Sequence, residues 1–207
     1  MKKALILVAV LALALGICYL VLHKSDSGNE KAEEKDVALL VSSKTSAFNR
    51  SFDKVLDCYF SLLDAFLAND TSLVSKAANK LSTSVDSIRF DQLKADSSLL
   101  LTAISVAQSI PPEILGLKGE KNMEQKRREF NMITQDLYAL IQTVKYDGST
   151  IYHMSCPTAF PDSTAGDWLS RTNSIVNPYK VKNSSTDQPG TPDCGEIKDS
   201  LHFRSGE

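Results

Sequence analysis

The sequence lacks a surplus of basic residues. It holds 23 Lys and Arg against 25 Asp and Glu, a formal net charge of −2 over 207 residues. Binding to a phosphate backbone requires Lys and Arg in excess on one face of the protein, so this balance argues against a nucleic-acid partner. The densest basic run, Lys126-Arg127-Arg128, lies among balancing acids. We predict that it forms a solvated helix face.

The sequence also lacks the motifs of common enzyme classes. It contains no motif of a Ser/His/Asp catalytic triad, no Gly-rich phosphate-binding loop and no metal-binding helix of the His-Glu type. A thiol oxidoreductase would require two closely spaced cysteines, and Cys156 has no second cysteine near it in the sequence. We therefore predict that the protein is not an enzyme.

An apolar run over residues 4–22 follows two lysines at the N-terminus. As a helix with a rise of ~1.5 Å per residue, it nearly matches the ~30 Å hydrocarbon core of a bilayer. Residues 1–24 are therefore predicted to be a signal sequence or membrane anchor, which places the rest of the chain in the periplasm or cell envelope. Lipidation at Cys18 is the alternative, but Ile17 is larger than the residue that normally precedes a lipidated cysteine.

Beyond the apolar run, the sequence predicts a tether followed by one domain. Residues 25–44 form a polar tether in which the first helix could begin. Residues 45–207 form a single helical domain, with a bundle over 45–145 and a Cys-containing C-terminal lobe over 146–207.

Apolar residues recur every three or four positions in four segments, which predicts four helices. The first covers residues 52–67 and ends near Asp70, which is also a good N-cap for the second. The period of the second helix directs Leu73 inward. The third is predicted over residues 92–109 and ends at Pro111-Pro112, because neither proline can donate a backbone hydrogen bond.

The fourth helix is predicted over residues 122–145, where heptad-spaced apolar residues indicate close packing along a neighbouring helix. Because the connections are short, we expect an antiparallel four-helix bundle and a mainly all-α fold. The C-terminal lobe is rich in Pro, Gly and Asn and is predicted to be loop-rich, with one short strand over residues 151–154. Trp168 and Tyr179 are expected to cover the bundle.

The C-terminal lobe contains four candidate ligands for a soft metal ion. These are the Cys156 and Cys194 sulfurs, the His153 imidazole and the Met154 thioether. On a strand, His153 and Met154 would face opposite ways, so only one of them could join the cysteines.

A structural disulfide is the alternative role for Cys156 and Cys194, because exported thiols oxidise in pairs. It would close a loop of roughly three dozen residues and contribute about 3–4 kcal/mol. Cys58 lies in the first helical segment and is expected to be an unpaired, buried residue. Disulfide and metal site both remain open from the residues alone.

Several motifs follow one another in a fixed order along the chain. Together they resemble the domain of unknown function 3347 family, a helical extracytoplasmic domain that occurs alone and fused to periplasmic adaptor subunits of heavy-metal efflux pumps. The motifs are the Val55 to Asp70 and Gln125 to Leu140 helical segments, Cys156-Pro157, Gly166-Asp167-Trp168-Leu169-Ser170, Asn177-Pro178-Tyr179 and Cys194-Gly195-Glu196.

The resemblance implies binding or handling of Cu(I) or a similar soft metal in the cell envelope, with heavy-metal efflux components as partners. In the family each cysteine is accompanied by a methionine, whereas Thr158 and Thr191 stand at those positions here, so the site is expected to be partly eroded. The alternative function is a disulfide-closed, membrane-tethered protein-interaction domain without metal.

Overall fold

Helices dominate the part of the chain that a computed structural model describes, residues 43–44, 46–180 and 194–203. All of these residues belong to one compact unit, Val41–Glu207. The predicted anchor, Cys18, Thr191 and nearly all of the predicted tether lie outside the described residues, so the predictions made for them stay predictions.

The described elements are four helices and five short strands. In chain order they are β1 (Ser43–Lys44), α1 (Ser46–Leu67), α2 (Thr71–Asp86), β2 (Leu93–Lys94), α3 (Ser97–Gly119), α4 (Met123–Val144), β3 (Ile151–Cys156), β4 (Gly166–Ser170) and β5 (Glu196–Leu201). A single 3-10 turn, Phe90–Gln92, precedes β2. The prediction of a mainly helical fold is confirmed, with a small antiparallel sheet added to it.

The boundary between α1 and α2 follows the sequence signals closely. The Asp70 carboxylate accepts hydrogen bonds from the backbone N–H groups of Ser72 and Leu73, so it caps α2 as predicted. The prediction that Leu73 points inward is wrong, since 48% of its surface is exposed. Leu73 lies in the first turn of α2, and the buried face of this helix begins only at Val74.

The predicted third helix begins and ends at the wrong places. Leu93 lies in β2, and α3 continues through Pro111 and Pro112 to Gly119. Proline has a helix-compatible φ, and its cost inside a helix comes from the lost N–H and ring crowding. Ile110, Ile114 and Leu117 are buried on both sides of the prolines, and this apolar burial offsets the lost hydrogen bonds.

The fourth helix agrees with its predicted span. Asn122 caps it by accepting a hydrogen bond from the Gln125 N–H, and Lys145 ends it in the left-handed conformation. The predicted heptad residues are all buried: Phe130, Ile133, Leu137, Leu140 and Val144.

Helices that are consecutive in the chain pack against each other, so α2 contacts α1 and α3, and α3 contacts α4. Among the described helices, α3 alone is long and apolar enough to cross a membrane, criteria that a core helix also meets.

The C-terminal lobe is a small sheet, where the sequence predicts mainly loops and one strand. The central strand β3 pairs antiparallel with β4 on one side and β5 on the other. The predicted strand over 151–154 is therefore present and extends to Cys156. Its two partners were missed because β4 contains a glycine and the residues of β5 are mostly polar and exposed.

Glu129 of α4 is held in an unfavourable environment for a negative charge. Burial, a hydrogen bond with Glu113 and repulsion from Glu113 and Glu120 all raise the pKa of Glu129 above its ordinary 4.5. Gly116 of α3 permits this close approach, because a Cβ there would lie 2.7 Å from Glu129 Oε2.

We expect Glu129→Gln to increase the free energy of unfolding at neutral pH. Because the folded-state pKa is raised, the wild type loses stability as the pH rises through that pKa, and glutamine removes this loss. The gain should shrink as the pH falls toward 4.5. Urea unfolding at several pH values measures it, with Glu124→Gln as control. Glu124 pairs with Arg128, so its variant should be slightly less stable, and an equal effect of both variants would contradict the prediction.

Candidate functional site

A disulfide joins Cys156 and Cys194, two residues separated by 38 positions in the sequence, with their Cα atoms 5.2 Å apart. Cys156 ends β3 and is fully buried, whereas Cys194 lies two residues before β5 and is partly exposed. Of the two roles that the sequence left open for these cysteines, the structure has the disulfide. Cys58 is free, as predicted, but it is partly exposed on α1, so the prediction that it is buried is wrong.

Two polar side chains lie near the sulfur of Cys194. The Asn177 amide donates to the Cys194 carbonyl oxygen at 2.9 Å and lies 3.6 Å from its sulfur. The Thr158 hydroxyl is 3.9 Å from the same sulfur. Thr158 occupies the position at which the resemblance places a methionine, so a hydroxyl contacts the bridge where a thioether is expected.

Met154 and His153 lie on opposite faces of β3, as expected for neighbours in a strand. Met154 shares the face of Cys156, is fully buried, and is paired with Trp168 of β4.

His153 contacts an aromatic ring and a carboxylate on its own face of the sheet. Its ring centroid is 4.3 Å from that of Tyr138, and its Nε2 is 3.7 Å from Asp167 Oδ2. Burial raises the pKa of Asp167, but hydrogen bonds from His153 and Ser155 outweigh it and lower the pKa overall. Burial and the hydrogen bond that Tyr138 donates to Asp199 raise the pKa of Tyr138 to about 12.

The described residues contain no group of three or more His, Cys, Asp or Glu side chains arranged to hold a metal ion. Because both sulfurs are bridged, Met154 and His153 are the two predicted ligands that remain, and they lie on opposite faces of β3. The prediction that Cys156, Cys194, His153 and Met154 contribute to a soft-metal site therefore stays a prediction.

The motifs of the lobe converge on the fully buried Trp168 and Tyr179, whose ring centroids are 6.2 Å apart. Gly195 packs between Ile175 and the indole, since a Cβ there would clash with Ile175 Cγ2 and lie 3.1 Å from Trp168 Cη2. Gly166 likewise packs on Tyr179, where a Cβ would lie 2.8 Å from Cε2. Both glycines are required because backbone and ring approach closely, and the expectation that the two aromatic residues cover the bundle agrees with their burial.

The prediction that Lys126, Arg127 and Arg128 form a solvated face is wrong for the first two residues, which are each only 4% exposed. Lys126 Nζ donates to the Leu117 carbonyl oxygen at 2.7 Å. Arg128 is partly exposed; it lies 4.4 Å from the centroid of the Phe160 ring and pairs with Asp162 at 3.1 Å. The basic run is therefore a contact surface for α3 and for the lobe.

Arg127 connects three parts of the chain. From α4, its Nε donates to the Pro178 carbonyl oxygen at 2.9 Å and its Nη2 donates to Asn69 Oδ1 at 3.0 Å. Asn69 lies in the turn between α1 and α2, and Pro178 lies in the lobe. The side chain is buried, and this burial lowers the pKa of Arg127.

Tyr59 makes a second polar link between helices and sheet. Its hydroxyl is 2.8 Å from Thr134 Oγ1 of α4 and accepts a hydrogen bond from the Leu169 N–H of β4 at 3.0 Å. Burial is the main reason that the pKa of Tyr59 is raised. The contact satisfies a backbone donor of an edge strand that would otherwise be buried without a partner.

Residues 55–148 match the family described as protein of unknown function (DUF3347). Over these residues the chain belongs to that family. The DUF3347 match covers α2, α3, α4 and most of α1, and it ends before β3. The motifs around Cys156 and Cys194 lie outside it, so their resemblance to the family stays a prediction. No curated protein and no solved structure matches the chain.

Arg127 and Tyr59 were not identified as functional residues from the sequence. Tyr59 was predicted only as an apolar position of the first helix. For Arg127 a signal was present, because it lies three residues before the buried Phe130 and therefore on the inward face of α4. The three positive charges of residues 126–128 favoured a solvated face, although the helical period placed Arg127 inward.

Replacing Arg127 by Ala should weaken the attachment of the lobe to the DUF3347 domain. The change leaves the Pro178 carbonyl and the Asn69 side chain without their donor, and we expect a loss of roughly 2–4 kcal/mol. Urea unfolding followed by fluorescence measures it, since Trp168 is the single tryptophan. Arg128→Ala is the matched control and should cost about 1 kcal/mol or less. Equal losses in both variants would contradict the prediction.

Proposed function

We propose that the protein is a disulfide-closed, membrane-tethered protein-interaction domain of the cell envelope, with its four helices arranged as an antiparallel bundle. The single observation that carries the proposal is the bridge between Cys156 and Cys194, which occupies both thiols. The location in the envelope rests on the apolar N-terminal run and agrees with the presence of a disulfide. The consecutive packing of helices through short connections supports the bundle arrangement.

The packing of the lobe motifs supports the same proposal. Trp168 and Tyr179 are fully buried, and the glycines at 166 and 195 serve their close packing. Arg127 is engaged with backbone and amide oxygens. The packing of these residues against the helices therefore accounts for the composition of the lobe without a bound ion or a reaction.

Alkylation of the full chain prepared without reductant tests the disulfide. We expect the reagent to label Cys58, which is partly exposed, and to leave Cys156 and Cys194 unlabelled until a thiol reductant is added. Peptide mass mapping assigns the labels. Changing both bridged cysteines to Ser should lower the free energy of unfolding by about 3–4 kcal/mol. Labelling of Cys156 and Cys194 without reductant would remove the basis of the proposal.

Soft-metal handling in the reduced state is a second candidate function. Two observations favour it: Cys194 is partly exposed and thus open to a reductant, and Met154 lies on the same face of β3 as Cys156. After reduction, two thiolates and one thioether would suit Cu(I), because soft sulfur ligands select a soft ion. Heavy-metal efflux components would be the partners, and His153 would act as a ligand only if its face of the strand joined the site.

A Cu(I) competition titration separates the two candidates, with every variant made in a Cys18→Ser/Cys58→Ser background. If the domain handles metal, the reduced protein should bind Cu(I), and the oxidised protein and the Cys156→Ser/Cys194→Ser variant should not. Met154→Leu should weaken binding, whereas Thr158→Met should strengthen it by adding a thioether near the sulfurs. His153→Gln is the matched control on the opposite face. Equally poor uptake by reduced wild type and double variant would exclude the metal function.

A further inference from the structure

The outward face of α3 is unusually poor in charge and rich in exposed apolar surface. Leu101 and Leu115 are 67% and 69% exposed, the highest values among the exposed large apolar residues of the described chain. The residues that pack against the neighbouring helices lie on the other side of α3. They are Ala103, Ala107, Ile110, Ile114 and Leu117.

A stripe of six exposed residues runs along the full length of this face. Its members are Leu101, Ser105, Gln108, Pro112, Leu115 and Gly119. None of them is charged, and α3 holds no Asp, Glu, Lys or Arg before Glu113. A helix face in contact with water normally carries charged residues, and an apolar surface without them is typical of a binding surface. We call these six residues the α3 stripe.

We propose that the α3 stripe binds a second copy of this chain, with the two α3 helices antiparallel across a two-fold axis at Gln108. Leu101 and Leu115 each lie about two helical turns from Gln108, on opposite sides of it. In a two-fold pair, Leu101 of one copy therefore meets Leu115 of the other, and the reverse contact forms at the same time. Ser105 is small and allows the two backbones to approach between these contacts.

The charges at the two ends of α3 favour the same arrangement. Asp96 precedes the helix and Lys118 lies in its last turn, and both are exposed. Antiparallel pairing about Gln108 brings Asp96 of one copy near Lys118 of the other, where opposite charges attract. Parallel pairing would bring Asp96 near Asp96 and Lys118 near Lys118, which is unfavourable.

The size of the contact predicts a weak dimer. A helix of 23 residues is about 35 Å long, and a single helix pair provides less than the ~800 Å² per partner that is usual for a stable interface. Association should therefore depend on concentration. A bilayer surface is a poorer fit than a second copy, because helices that lie in the interface carry several Lys and Arg beside their apolar residues, and α3 has a single basic residue, Lys118.

A charge-exchange experiment tests the proposal with the full chain in nonionic detergent. Leu101→Glu alone and Leu115→Lys alone should each weaken dimerisation by about tenfold, measured by sedimentation equilibrium. The variant with both changes should regain dimerisation to within about threefold of wild type, since the new carboxylate of one copy then meets the new ammonium group of the other. Leu73→Glu, at an exposed leucine of α2, is the matched control and should leave dimerisation unchanged.

Cross-linking provides an independent measurement. In a chain with Cys18 and Cys58 changed to Ser, Gln108→Cys should form a disulfide-linked dimer, because residue 108 meets its own counterpart at the axis. Ser98→Cys should not form this dimer, because residue 98 of the second copy lies at the opposite end of the two paired α3 helices. Wild type that stays monomeric up to about 0.5 mM, or a double variant that dimerises no better than the single ones, would overturn the proposal.

Discussion

The attachment of the C-terminal lobe to the helices depends on the burial of Arg127. A guanidinium removed from water must have its donors satisfied, and here the acceptors come from two distant places, the Pro178 carbonyl oxygen and the Asn69 side chain. The same contact therefore holds the α1–α2 turn, α4 and the lobe in one arrangement. Tyr59 adds a second link by accepting a hydrogen bond from the backbone of β4.

These polar links add to the burial of Met154, Trp168 and Leu169 in holding the small sheet against the helices. Three short strands are marginal without a partner surface, and β5 contributes mainly exposed side chains. The disulfide joins the end of β3 to Cys194, two residues before β5, and Tyr138 of α4 donates a hydrogen bond to Asp199 of β5. The motif residues of the lobe thus act first as structural supports, whichever ligand or partner the domain binds.

Local patterns explain how much of the fold and of the site could be predicted. The heptad residues of α4 and the Asp70 cap depend on neighbours in the sequence, and both predictions are confirmed. The end of α3 was misplaced because a local rule for proline was outweighed by apolar burial against another helix. Lys126 and Arg127 were misinterpreted because their acceptors lie outside α4, on Leu117 of α3 and on Pro178 of the lobe.

The sequence by itself determined the four helices, the cysteines that could pair and the family of residues 55–148, because helical periodicity, capping and family motifs are properties of contiguous residues. The tertiary structure alone decided that Cys156 and Cys194 are bridged, that β3 is the central strand with Met154 buried, and that α3 leaves an uncharged face outward. Each of these features depends on which distant segments come into contact. A local sequence pattern does not contain the energies of such contacts.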